Sequence, residues 1–359
     1  MSKIDRLTIK GFKSIRHLEN FEMRSLNVLI GANGTGKSNF ISYFQMLGEL
    51  VEQRLQYWTS QQGSADRVLS FGIKETTELE SFIRFWQTGY EFKLSPTADE
   101  KFVFLSERSF WFGFPHDGSN PLGNGHMEAK IKDSREALDK SCYGSISRWK
   151  TYHFHDTSQT ASVKRLCSLH DSQYLRPDAA NLAAFLYRLW TSSAKEYQQI
   201  VKVVRLVIPF FDDFELTPQS LPTGEEQIRL LWRQKNSDYP LWPSQLSDGS
   251  LRFICLATAL LQPKPPDTII IDEPELGLHP YAITLLGSLI RSASERIQII
   301  ISTQSVALVN EFAIEDLVIV ESEDGATVFK RLQPDDFQAW LEEYSTGELW
   351  EKNVLGGRP

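Results

Sequence analysis

The stretch "SLNVLIGANGTGKSNFISYF" (residues 25–44) limits what this chain can fold into more than any other. "LNVLI" has the length and composition of a buried strand, and "NFISYFQMLGELVEQRL" has the apolar period of a helix. Between them, "GANGTGKS" (Gly31–Ser38) fits the pattern G-x-x-x-x-G-K-[ST]. Glycines let the backbone curl until successive N–H groups point at one anion, and the helix start adds its positive end. This predicts a phosphate-binding loop. Lys37 is expected to reach the β- and γ-phosphates, and Ser38 to ligate Mg²⁺. Gly31, Asn33, Gly34, Thr35, Gly36, Lys37, Ser38 and Asn39 form the candidate nucleotide-binding set, with ATP and Mg²⁺ as the expected ligands.

A second strand signal, "TIIIDEPELGLHP" (residues 268–280), ends in paired acids. Ligands of open α/β sheets gather at the carboxyl ends of strands. Asp272 is placed to hold the metal, directly or through water, and Glu273 to polarise the water that attacks the γ-phosphate. Pro274 makes the chain leave the strand there.

Apolar strands alternating with helices after residue 247 predict a parallel sheet. From about residue 66 to 155 the texture becomes short β-like runs: "ESFIRFWQTG", "YEFKLSP", "KFVFLSERSFWFGF" and "WKTYHFHD", broken by the loop "PHDGSNPLGNGH". Residues 177–208 read as helices, and "FFDDFELTP" and "EQIRLLWRQ" as strands. The expectation is an α/β P-loop NTPase with a mixed sheet, an inserted antiparallel β region and a helical subdomain. Its parts would be N-terminal strands and loop (1–65), β-rich insertion (66–160), helical subdomain with returning strands (161–240), signature and acidic-pair region (241–325) and tail (326–359). The opening "IDRLTIKGFKSIRHLENFEM" reads as two strands joined at Gly11.

"LSDGS" (Leu246–Ser250) opens a further apolar helix, and Ser247 suits its N-cap. A capped helix start beside a glycine is a second anion site, which one nucleotide does not need from one subunit. Two facing copies do need it, each offering its loop to one ATP and its LSDGS turn to the other's γ-phosphate. The turn would sense ATP and close the pair, and hydrolysis would release it.

Phosphate loop, then L-S-x-G, then "IIIDEPELGLHP", in that order, resembles the ABC-type ATPase heads of the SMC/RecF/OLD group, as does the opening "IKGFKSI". The resemblance covers residues 1–50 and 240–320 well. It implies that Ser247 and Gly249 touch the γ-phosphate in trans, and that Gly277–His279 cross the dimer interface. It also implies that Lys13 lies against the nucleotide. Where such heads carry a histidine at the γ-phosphate, "IIISTQSV" has Gln304, which donates a hydrogen bond but carries no charge. Either Gln304 senses the phosphate more weakly, or turnover is slow and needs an activator. The tail "ELWEKNVLGGRP", with "YHFHDTS" and "LRPDAANLAAFLY", resembles a compact set of bacterial ATPases of this group. That likeness implies a homodimer around ATP, a separately encoded TOPRIM-like nuclease as effector, DNA contact, and a role in anti-phage defence or DNA repair.

Net charge is −8, so any nucleic-acid surface must be local. Lys3, Arg6, Lys10, Lys13 and Arg16 form either such a stripe or a solvated strand face. His153 and His155, on one face of a strand with Asp156 adjacent, read as a metal pair or as polar packing. Trp340, Tyr344 and Trp350 read as packing on the head or as a docking face. Cys142, Cys167 and Cys255 form no CxxC and suit a reducing cytoplasm. No apolar run approaches the roughly 20 residues of a membrane helix, and no membrane partner is expected. The alternatives are a non-hydrolysing nucleotide-switch scaffold, which Gln304 motivates, and an ABC transporter nucleotide-binding subunit. A long coiled-coil arm is not expected, because no heptad run exists.

Overall fold

The computed structural model describes residues 3–113 and 116–358, so the start of the "PHDGSNPLGNGH" loop (Pro115) and the final Pro359 lie outside the described residues. The chain divides into two compact units. The first is Met1–Thr151, Pro266–Ile270 and Ile297–Pro359, and the second is Tyr152–Pro265 and Ile271–Arg296.

The first unit begins with a hairpin, β1 (Arg6–Phe12) and β2 (Ile15–Glu22). The turn falls at Lys13–Ser14, with Lys13 at φ 47°, and not at Gly11, which lies inside β1. Gly11 is required there for another reason: at φ 79°, any Cβ would strike the Glu78 carbonyl. β3 (Leu26–Ile30) is buried along its whole length, and α1 (Lys37–Val51) follows. Two short helices, α2 (Leu55–Gln61) and α3 (Ala65–Val68), lead to β4 (Leu79–Phe85), β5 (Thr88–Pro96), β6 (Phe102–Trp111) and β7 (Gly118–Gly123). These four strands extend the N-terminal hairpin as one antiparallel sheet, ordered β2-β1-β4-β5-β6-β7. The sheet alternates: Leu79, Ser81, Ile83 and Phe85 of β4 are buried, and the residues between them reach solvent. α1 packs Phe40, Tyr43, Phe44 and Leu47 into the core beneath, with Phe12 edge-on to Tyr43 at 5.8 Å.

α4 (Ala137–Ser147) leads into β8 (Trp149–Tyr152). The sequence suggested a strand running on through His155 inside the antiparallel insertion. In the structure β8 stops at Tyr152 and is instead the edge of the central sheet. Alternation alone does not say which sheet a short strand joins.

The second unit carries β9 (Cys167–Ser168), the helices α5 (Leu182–Ser192) and α6 (Ala194–Val207), and β10 (Phe211–Glu215). Four short strands follow: β11 (Gln219–Ser220), β12 (Glu226–Ile228), β13 (Leu231–Gln234) and β14 (Pro240–Leu241). They build two three-stranded antiparallel sheets, β10-β13-β14 and β11-β12-β9, so "EQIRLLWRQ" is two strands and not one. α7 (Asp248–Leu261) is buried from Leu251 to Leu260.

β15 (Thr268–Asp272) contains the division between the units, and α8 (Pro280–Ser294) belongs to the second. The first unit resumes with β16 (Gln298–Thr303), α9 (Val306–Val309), β17 (Leu317–Glu323) and β18 (Ala326–Arg331), then α10 (Gln338–Leu341) and α11 (Thr346–Glu351). The central sheet is ordered β18-β17-β3-β16-β15-β8. β16 and β17 flank β3 in parallel and β18 pairs with β17 antiparallel, so the sheet is mixed. β3 and β16 are buried on both faces; both are largely apolar, and the buried Asn27 of β3 and Gln298 of β16 are hydrogen-bonded. Among the described residues no helix is long and apolar enough to cross a membrane.

Candidate nucleotide site

In the first unit, β3 ends in the loop Gly31–Gly36 and α1 starts at Lys37. Gly31, Gly34 and Gly36 have φ of 157°, 78° and 105°, conformations that side chains rarely adopt. A Cβ at Gly31 would strike the Val320 carbonyl, and one at Gly36 the Thr327 hydroxyl. Lys37 is buried, and its ammonium donates to the carbonyls of Gly31 (2.6 Å) and Ala32 (2.8 Å). The loop is therefore closed around its own lysine, with Asn33, Gly34 and Ser38 exposed. This cradle fits a polyphosphate: oxygens of the ligand can replace the two carbonyls on Nζ, and the Ser38 hydroxyl is accessible to a metal.

Behind the loop runs a chain of hydrogen bonds with one possible direction. Thr327 on β18 donates to the Thr35 carbonyl at 2.8 Å, so Ser14 must donate to Thr327 (2.6 Å), and Asn39 donates to Ser14 (2.7 Å). Asn39 thus holds the loop from behind. Neither Ser14 nor Thr327 carries a sequence signal, because their partners are far away in the chain. Lys13 is directed to Ser42 (2.7 Å) and Gln62 (3.1 Å), over the rings of Phe12 and Trp58, and burial lowers its pKa. Gln304 directly follows β16 and is half-buried; next to it, Ser305 caps α9 by accepting from Leu308 N–H at 3.2 Å.

The second unit holds the other motifs. Asp272 closes β15, and Glu273 stands at φ 42°, left-handed for a residue with a side chain. Ser247 caps α7, its Oγ accepting from Ser250 N–H at 3.2 Å. Gly249 lies so close to the Gly277 carbonyl that a Cβ there would collide with it. Arg252, one turn along α7 and buried, donates to the carbonyls of Phe154 (2.9 Å), His155 (3.0 Å) and Leu276. It thereby fastens the LSDGS helix to the "ELGLHP" loop. Sequence reasoning missed Arg252, although an arginine amid an apolar helix was the available signal. His279 caps α8, and Pro280 takes its first turn.

His153 and His155 follow the end of β8 and so do not share a strand face. Burial, with His155 acting in the same direction, lowers the His153 pKa, and the Asp272 carboxylate opposes the shift. Among the described residues, no group of three or more His, Cys, Asp or Glu is arranged to hold a metal. The N-terminal cations have local partners: Lys3 with Ser25, Arg6 with the Asn20 carbonyl, Lys10 with Glu19, and Arg16 with Glu75. In the tail, Trp350 is fully buried, whereas Trp340 is exposed and lies 6.2 Å from the Tyr344 ring.

Loop, sheet and strand-end acids define an ATP-binding P-loop ATPase of the ABC type with an SMC-like fold. The chain belongs to the family described as "AAA domain, putative AbiEii toxin, Type IV TA system", whose model matches residues 26–310. In fold it is similar to a solved SMC head bound to the C-winged helix domain of ScpA. The TM-score is 0.61 at 14% identity, over 94% of this chain and 99% of that one. An Smc head with an extended coiled coil, bound to the C-terminal domain of ScpA derived from Pyrococcus furiosus, gives a TM-score of 0.57 at 15% identity, over 96% and 99%. In sequence the chain is 26% identical over 148 residues to the phosphate import ATP-binding protein PstB 3 of Natronomonas pharaonis, covering 38% of this chain and 52% of that protein. It is 31% identical over 97 residues to PstB 2 of Mycobacterium tuberculosis, covering 26% and 34%. The matched stretches thus span about half or less of those relatives.

Proposed function

We propose that this chain is a cytoplasmic ATPase that hydrolyses ATP, pairs with a second copy around the nucleotide, and through that closure regulates a DNA-processing effector. In this reading Gly31, Asn33, Gly34, Thr35, Gly36, Lys37 and Ser38 bind the phosphates, and Ser38 and Asp272 hold Mg²⁺. When bound, the metal would neutralise charge developing on the phosphates. Glu273 orients and deprotonates the attacking water, Gln304 hydrogen-bonds the γ-phosphate, and Ser247 and Gly249 meet the γ-phosphate of the partner copy's ATP. Asn39 supports the loop, and Lys13 acts on the nucleotide through α1.

The observation that carries the reading is the seating of Gly249 on the Gly277 carbonyl. It makes the turn proposed to sense ATP and the loop proposed to cross the interface one body. Load on the turn is then felt where the two copies meet. The resemblance to RecF/OLD-like heads supports a separately encoded TOPRIM-like effector, contact with DNA, and a role in anti-phage defence or DNA repair. The family's description as a putative toxin is in keeping with a defence role.

The test is the mass of Glu273→Gln in solution with and without ATP and Mg²⁺, beside the double variant that adds Ser247→Arg. ATP is expected to double the mass, and Ser247→Arg to abolish the doubling. A chain that stays monomeric with saturating ATP would overturn the sandwich. A dimer already complete without nucleotide would replace it with a constitutive scaffold.

A further inference from the structure

The segment after α10 touches both ends of the nucleotide machinery in the first unit. α11 is fixed at its start by a capping box, in which Ser345 N–H and Oγ–H both donate to Glu348 Oε2 at 2.8 and 2.7 Å. At the second residue of the helix, Gly347 N–H donates to Asn310 Oδ1 at 2.6 Å. A Cβ on Gly347 would come within 2.7 Å of the Val306 carbonyl. Val306 begins α9, the short helix that starts two residues after Gln304. α11 therefore rests directly on the segment that carries the γ-phosphate residue.

The chain then turns back. Leu349 and Trp350 are completely buried, and the Trp350 indole N–H donates to the Gly357 carbonyl. Gly357 N–H donates to Glu321 Oε1 on β17 at 2.8 Å. Held from both sides, Gly357 stands at φ 60°, and a Cβ there would be 2.7 Å from the Ile319 methyl and 3.6 Å from both Gly31 Cα and the Ile30 carbonyl. Gly31 is the first glycine of the phosphate loop, and its other side is already closed by the Val320 carbonyl. A side chain at 357 would be strained at this φ and would press on Ile319 of β17, while its Cβ would rest at ordinary contact distance on the loop.

We propose that residues 345–358 are a positioning strap that ties the Gln304 switch helix to the phosphate loop, so that Gly357 sets ATP affinity and the Gly347–Asn310 contact sets turnover. The inference rests on the reading above that the loop binds ATP and that Gln304 meets its γ-phosphate.

The test uses the full chain with Gly357→Val, Asn310→Ala and, as a control on an exposed tail residue, Trp340→Ala. Gly357→Val is expected to raise the Kd and KM for ATP about ten-fold, and Asn310→Ala to lower kcat about five-fold with KM nearly unchanged. Trp340→Ala should match the parent. Should Gly357→Val fail to fold, Glu321→Ala removes the acceptor of Gly357 N–H without adding bulk, and is expected to weaken ATP binding in the same direction. Equilibrium binding of a fluorescent ATP analogue decides the first arm without any turnover. Unchanged Kd in the Gly357 or Glu321 variant, or losses that merely follow each variant's fall in Tm, would overturn the strap. Lys37→Ala separates the two readings. If it too leaves binding intact, the assignment of the loop has failed, and not the strap alone.

Discussion

Gly249 and Gly277 meet without room for a methyl group between them, since the Gly277 carbonyl oxygen occupies the place where a Cβ of residue 249 would stand. Arg252 locks the same contact one turn later through the Leu276 carbonyl. Gly249→Ala must therefore push the "ELGLHP" loop away or lift the start of α7, at a cost of about 1–3 kcal/mol. ATP-driven doubling of mass in a Glu273→Gln background is expected to be lost, while ATP still binds the monomer with unchanged Kd. Light scattering beside a binding titration checks both. Doubling that survives Gly249→Ala would disconnect this contact from assembly.

Thr327 is expected to matter through a single oxygen. Replacing it by Val keeps the shape but leaves the Thr35 carbonyl without its donor and the Ser14 hydroxyl without its acceptor. Stranded buried polar groups cost about 1–3 kcal/mol. Because both belong to the loop's support, ATP affinity should fall several-fold along with Tm, and Thr327→Ser should restore both. Calorimetric titration of the three proteins reads this directly. A Val variant that binds ATP normally would show that the loop holds its shape without the relay.

How much of this was legible in the sequence depended on the range of the interactions. β3, the loop and α1 are contiguous, so pattern and chemistry coincide in one window, and the prediction of a phosphate loop in an α/β frame matches the fold. Ser247 was legible as a cap for the same reason. Thr327 and Thr35 are separated by 292 positions, and nothing local marks a threonine on an edge strand as the support of a distant loop. Arg252 shows another limit. Its guanidinium is held by three backbone carbonyls, so its charge among apolar neighbours marks it as unusual without telling what it binds. β8 was read as a strand but assigned to the wrong sheet, because pairing is a tertiary choice that alternation does not encode. Gly11 and Lys13 show how a turn is misplaced: glycine is the usual signal of a positive φ, yet here a lysine also takes one.

The three cysteines give a prediction about reactivity. Burial pushes the Cys142 and Cys255 thiols up to about 12, and raises Cys167 as well, though that side chain is only half-buried. The thiolate is the reactive form, so at pH 8 all three should resist labelling in the native chain. Cys167 should react first as pH rises, and Cys142 and Cys255 only on unfolding. Mass spectrometry of maleimide-treated protein, native and in urea, checks the order. Fast native labelling of Cys255 would show that α7 opens readily.

Glu273 poses the sharpest conflict between stability and chemistry. Its φ of 42° is a conformation that glycine adopts freely and glutamate does not. Holding a side chain there costs about 1 kcal/mol or more, and such strain persists where a site needs the side chain in one place. On the proposed reading, that place is beside the attacking water. Glu273→Gly should therefore raise stability by about 1 kcal/mol while removing turnover. Glu273→Gln keeps the strain, so it should remove turnover with little change in stability. The two variants lose activity alike and separate only in their urea midpoints. A glycine variant less stable than the parent would mean that Glu273 is held by contacts worth more than its strain, and the residue would then have a structural role that the catalytic reading does not include.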